Sequence, residues 1–301
     1  MGFFGRKRAP SVPHPRKEPR FDGPLTLKRL EQIFQDCVDF TKRPVSLGEG
    51  GACTLTLCYL SGMVKMERVS DYVLRPLAQD EALARCGTPR QAMEEMMGGA
   101  LYNLSAAERT TLDEAAFDLV AGWCLLFFPG ESAVLSLFVG TEEKRSISSP
   151  SNETVLKGSR DAFVESLRTN TSIVRRHLKT PELRIREQVV GRQSVTSVDI
   201  LYIEGLTNPH LVEQVAAQLA DIDIDAVLAT GNIEEYIVPA ARTAFPLVQY
   251  TERSDRFCAG LAEGRVGILI DGLPLGYLAP GVLGDFLQAP QDKSESWLLA
   301  S

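Results

Sequence analysis

Histidine is nearly missing from this chain, with three residues in 301, and cysteine is present without pattern. The six cysteines (Cys37, Cys53, Cys58, Cys86, Cys124, Cys258) contain no CxxC pair. His14, His177 and His210 lie at no ligand spacing to them, so no metal site is predicted. Set mostly among apolar neighbours, these cysteines read as buried free thiols of a reducing compartment. A GxSxG elbow, an HExxH pair, an SxxK motif and a Walker A loop are all lacking, so the chain is read as a non-enzyme without a cofactor. The glycines at 48, 50 and 51 lead into a strand rather than from a strand into a helix, which makes them a turn and not a phosphate loop. The Asp221 to Asp225 run fails as a calcium loop, because Ala226 stands where glycine is needed and no Glu holds the twelfth position. No apolar run follows the basic start, so no signal peptide is read, and Arg6 occupies the Ser or Thr position of a myristoylation motif. The longest apolar run, Leu119 to Phe128, is about half of a bilayer crossing.

What is present is ordinary globular material: 44% hydrophobic and 24% charged residues, with a net charge of -7 that argues against general nucleic-acid binding. Charge is uneven. Residues 1–23 are rich in Pro and Arg and read as a disordered basic tail; Phe3 and Phe4 beside Arg6, Lys7 and Arg8 fit either a solubilising role or contact with an anionic membrane surface. Helical spacing of Leu27, Leu30, Ile33, Phe34 and Val38 predicts a helix from Leu25 to Phe40, and Cys53 to Leu60 reads as a strand. Helices are predicted at Arg68 to Leu77, Arg90 to Met97 and Ser105 to Leu119. Gly122 to Phe128 and Ala133 to Val139 form a hairpin about Pro129-Gly130 with both faces covered. Residues 24–140 are thus a first α/β subdomain. Residues 141–157, polar and nearly without apolar content, are a linker.

A second α/β subdomain is assigned to residues 158–290. Its strands are Leu183 to Val190, Ser194 to Ile203, Leu247 to Thr251, Val266 to Ile270 and Leu275 to Leu278. Its helices start at Asn208 (to about Leu219), Asp255 (to Leu261) and Val282 (to Leu287), and residues 291–301 are a terminal stub. The expected class is α/β (mixed α+β), two small subdomains, each a mixed sheet packed with helices.

The second subdomain opens on Gly158 to Lys179, where Phe163, Leu167, Val174 and Leu178 share one helical face behind an N-cap at Ser159. Asn170 falls inside that apolar stripe, where an unpaired amide costs about 1–3 kcal/mol. Arg168, Arg175 and Lys179 share one narrow sector, flanked by Arg160 and Arg176. Two readings stand: a packed helix with a hydrogen-bonded Asn and a solvated basic face, or a docking helix whose arginines hold an acidic partner. Glu252, Arg253 and Asp255, just after Tyr250, make a charged cluster at a strand end. They read either as a ligand site built on Tyr250, Glu252 and Arg253 or as a helix cap with a salt bridge.

The run from Glu143 to Lys179 resembles the signature of the spore germination receptor A-subunit family, "KR.I..P..E.VI.G.R..F.E.L..N..L.R..I". It is met by Lys144, Arg145, Ile147, Pro150, Glu153, Val155, Gly158, Arg160, Phe163, Glu165, Leu167, Asn170 and Arg175. Val198 to Val215, the IDIDAVLATGNIEEYI stretch, FPLVQYTERSD and EGRVGILIDGLP are similar to further family segments, with Ser254 in place of the usual proline. The resemblance is dense from about residue 141 to 299 and loose before it. It implies the cytosolic N-terminal domain of a membrane receptor, on the core-facing side of the spore inner membrane, where nutrients trigger exit from dormancy. Family members continue past the SWLL point into a multi-helix membrane domain, so 291–301 is expected to be a pre-membrane stub. Implied partners are the B and C subunits and other A subunits; the domain would serve assembly and signal relay or gating, with Arg160, Arg168, Asn170, Arg175 and Arg176 as candidate partner-binding residues. A hinged small-molecule binding module of a transport or sensory system is the alternative.

Overall fold

The computed structural model describes residues 20–47, 53–100, 105–140, 161–226 and 248–281. The chain divides into two compact units. One comprises Met1–Gln35, Asp39–Glu142 and Lys179–Pro181, the other Asp36–Val38, Glu143–Leu178 and Glu182–Ser301. Residues 1–19 of the basic tail, the linker at 141–157, the terminal stub, Arg160 and the helix expected at Val282 to Leu287 lie outside the described residues. The tail's last residues, expected to be disordered, are instead held, with the Arg20 and Phe21 N–H groups donating to Asp113 Oδ1.

In the first unit α1 (Leu27–Ile33) starts at Thr26, whose hydroxyl accepts from the Arg29 N–H. It is followed by β1 (Phe40–Leu47), β2 (Cys53–Leu60), α2 (Met66–Val69), α3 (Arg75–Gln79), α4 (Glu81–Ala84), α5 (Pro89–Glu95), β3 (Ala106–Arg109), α6 (Leu112–Val120), β4 (Trp123–Phe127) and β5 (Val134–Phe138). A π-helical turn, Ser70–Leu74, joins α2 to α3. The sheet order is β1-β2-β4-β5-β3, antiparallel at every pairing. Leu55, Leu57, Leu126 and Leu135 face Val69, Val73, Leu77 and Met93 on one side. The alternate residues Cys58, Leu60 and Leu125 are equally buried, and α6 packs on the same sheet. Covering both faces accounts for the continuous hydrophobicity of these strands.

Helix α1 is much shorter than the expected Leu25 to Phe40, because the chain turns at Asp36 (φ 57) and enters β1. β1 escapes pattern reading: FTKRPVSL has no apolar alternation and is held by its full register with β2. The segment expected to be helical from Ser105 is instead β3 followed by α6. Pairing with β5 overrides the helix propensity of AAER, and Thr111 caps the new helix by accepting from the Glu114 N–H.

The second unit contains α7 (Leu167–His177), β6 (Leu183–Val190), β7 (Thr196–Ile203), α8 (Pro209–Ala220), β8 (Gln249–Thr251), α9 (Ser254–Ala262), β9 (Val266–Ile270) and β10 (Gly276–Ala279). Its sheet runs β6-β7-β9-β10-β8, again antiparallel throughout. The period-two alternation sends Ile200, Ile268 and Tyr277 toward Val212, Val215 and Leu219 of α8. It sends Leu201, Leu269 and Leu278 the other way, onto Leu167, Val174, Phe257 and Leu261 of α7 and α9. Gly267 and Gly276 are required by close approach: a Cβ at 267 would stand 2.3 Å from the Phe257 ring, and one at 276 would stand 2.6 Å from it. The class is mixed α+β, two antiparallel five-stranded sheets packed with helices. No helix among the described residues is long and apolar enough to cross a membrane.

Candidate functional site

Helix α7 begins at Leu167, well after the expected Ser159, and its cap is Ser166, whose Oγ accepts from the Thr169 N–H. The residues before it, Asp161 to Ser166, form a non-helical strap with a bend at Glu165. Ala162 makes an antiparallel bridge to Arg253, and the Phe163 N–H donates to the Glu252 carbonyl at 2.9 Å. The two sets of candidate residues therefore meet at one end of this unit, which sequence spacing alone did not connect.

Asn170 is fully buried and its amide closes a two-point clamp on the strap. Oδ1 accepts from the Val164 N–H at 2.8 Å and Nδ2 donates to the Val164 carbonyl at 2.6 Å. The polar group inside the apolar stripe is thus satisfied within its own unit rather than held for a partner. Arg168, about half exposed, donates to Glu187 Oε1 at 2.6 Å and to the buried Asp199 Oδ2 at 3.2 Å. Thr171 Oγ1 donates to the same Asp199 oxygen at 3.0 Å.

Arg175 corrects the basic-face reading most sharply. It has no exposure, and its guanidinium donates to the Leu183 carbonyl at 2.9 Å. The chain turns back into β6 directly after α7, bringing that carbonyl beneath the last helical turn, where a long cationic side chain also suits the helix dipole. Arg175 is therefore turned inward, Arg168 is exposed but engaged with Glu187 and Asp199 of the sheet, and Arg176 is exposed.

In the second cluster Tyr250 is 60% exposed on the edge strand β8, Glu252 is half-buried and Arg253 is buried. The Arg253 fork engages both carboxylate oxygens of Asp255, with Nε to Oδ1 at 3.0 Å, and its N–H donates to Thr251 Oγ1. Burial pushes the Asp255 carboxyl up, but the Arg253 hydrogen bonds and charge and the Arg256 N–H outweigh it and hold it below its usual value. The salt bridge of the second reading is present, and no side chain caps the helix that follows.

Ser254 and His177 were not singled out as a pair by spacing, yet Ser254 Oγ lies 3.2 Å from His177 Nε2. Asp161 Oδ2 lies 3.6 Å from that same nitrogen. A relay needs the acid on the other ring nitrogen, and the buried hydroxyl here contacts the Asp161 carbonyl at 2.9 Å, so the trio ties elements together and does not assemble a nucleophile. Among the described residues no group of His, Cys, Asp and Glu is arranged to hold a metal ion.

By its fold this is a two-unit α+β protein, each unit an antiparallel five-stranded sheet packed with helices and tied by buried polar groups. The comparisons make this specific. The family described as "Bacillus/Clostridium GerA spore germination protein" matches residues 28–301, and the chain belongs to that family. It is 34% identical over 275 residues to the uncharacterized membrane protein YfkQ of Bacillus subtilis (strain 168), covering 91% of this chain and 52% of that protein. It is 32% identical to spore germination protein KA of the same organism, over 84% of this chain and 46% of the relative. Against spore germination protein GerLA of Bacillus cereus it is 30% identical, over 91% of this chain and 55% of the relative. The chain therefore spans about half the length of these relatives. The crystal structure of the N-terminal domain of the A subunit of the Bacillus megaterium spore germinant receptor GerK3 superposes with a TM-score of 0.69 at 27% identity. That match covers 88% of this chain and 99% of the other.

Proposed function

We propose that this chain is the N-terminal domain of a germinant receptor A subunit, acting in subunit assembly and in relay or gating of the germination signal. It works on the cytosolic, core-facing side of the spore inner membrane with B and C subunits and other A subunits. The observation carrying this reading is the match, over 99% of its length, to a domain whose own description is the N-terminal part of such a subunit. The names of the relatives cited describe germination proteins or a membrane protein, and none names an enzymatic activity. Arg168, Asn170 and Arg175 build the fold that presents the surface. Arg168, though exposed, is engaged by Glu187 and Asp199, so contact with partners falls to Arg176 on α7 and Tyr250 on β8, both exposed.

The test is co-purification of the chain with B and C subunits in detergent, comparing wild type with an Arg176→Glu, Tyr250→Ala double variant. The expected result is a loss of retained complex of about tenfold, about 1.4 kcal/mol, with an unchanged melting temperature. Full retention by the double variant overturns the assignment of this surface.

A further inference from the structure

The two units repeat one plan. Each passes from a non-helical segment to a capped helix (α1, α7), two paired strands, intervening helix, a third strand, a helix beginning directly after it (α6, α9) and a closing hairpin. Each sheet places its strands in the order first, second, fourth, fifth, third, with every pairing antiparallel. In each unit the incoming segment makes an isolated antiparallel bridge to the residue immediately before the helix after the third strand: Pro24 to Thr111 in one, Ala162 to Arg253 in the other.

We propose that the chain is a tandem duplication of one unit, and that the paired straps are a repeated latch coupling incoming chain to the helix after the third strand. In the first unit the hold is one buried carboxylate: Asp113 Oδ1 accepts from the N–H groups of Arg20 and Phe21 at 3.0 and 3.2 Å. In the second the hold on α9 is Ser254, whose N–H and Oγ donate to the Asp161 carbonyl at 3.3 and 2.9 Å, and the buried Asn170 amide clamps Val164 of the same segment to α7. The strap's far end reaches the β9–β10 turn, where the Gly272 N–H donates to the Glu165 carbonyl and Asp271 Oδ1 accepts from the Leu167 N–H. Displacement of the chain entering at Asp161 is thereby delivered to both the start of α9 and that turn. The latch gives the relay reading a location, and its test does not depend on germination.

Hydrogen exchange of the full chain, read by mass spectrometry, distinguishes a latch from plain packing. Asn170→Ala, and separately the milder Ser254→Ala, are expected to speed exchange at residues 162–167 by about tenfold or more while β6, β7 and α8 keep wild-type protection. Asp113→Ala is expected to do the same for the amides of Arg20 and Phe21 while β4 and β5 hold. Unchanged exchange at the straps, or a uniform rise across either unit, overturns the latch. A relay failure in spores with the exchange result intact counts against the function and not against the device.

Discussion

At the scale of single residues, thiol chemistry separates the cysteines. Burial pushes Cys58, Cys124 and Cys258 up to about 12, whereas Cys53 and Cys86, also raised by burial, are only partly buried. An aromatic disulfide reagent at pH 8 is therefore expected to modify Cys53 and Cys86 in the native chain, and Cys58, Cys124 and Cys258 only after denaturant is added. Labelling of Cys124 before unfolding would contradict the packing described. The free, mostly buried state of the cysteines could be read from their apolar neighbours, and so could the need to satisfy Asn170. Arg175 could not, because its burial is decided by where the Leu183 carbonyl lands after the turn, a tertiary fact with no local signature.

At the scale of elements, the edge strand β3 is fastened to α6 by a buried ion pair. Arg109 Nε and Nη2 meet the two Asp118 oxygens at 2.6 and 3.2 Å, with the guanidinium over the Trp123 ring. Removing one partner leaves a buried charge, so Asp118→Ala should cost about 3–5 kcal/mol in denaturant unfolding. The Arg109→Met, Asp118→Leu double variant should recover most of that loss, and equal losses in the two variants would refute the pair's role. Elements with a clear pattern were legible in the sequence: β2, the β6–β7 hairpin and α8 by periodicity, and the β4–β5 hairpin by two apolar runs about Pro129-Gly130. β1 and β3 were not, since FTKRPVSL and AAER owe their extended state to neighbours rather than to their own pattern. The onset of α7 was likewise hidden, because Ser159 and Ser166 are both competent caps and only the strap's bonds to Glu252 and Asn170 choose between them.

At the scale of the whole molecule, acid sensitivity follows from the salt bridge at the head of α9. Because the folded state holds the Asp255 carboxyl below its ordinary value of 3.8, its contribution is complete above that value and disappears as pH falls toward the lower folded value. Thermal unfolding followed from pH 6 to pH 3 should show the Tm of wild type falling more steeply below about 4 than that of Asp255→Asn. Parallel curves would remove the salt bridge from the account.

The ring of Phe257 occupies the volume that side chains at Gly267 and Gly276 would need, and it stands edge-on to Phe163 with centroids 5.2 Å apart. These positions are not independent letters. A lineage that enlarges either glycine must first shrink the aromatic, so the four can drift only in concert.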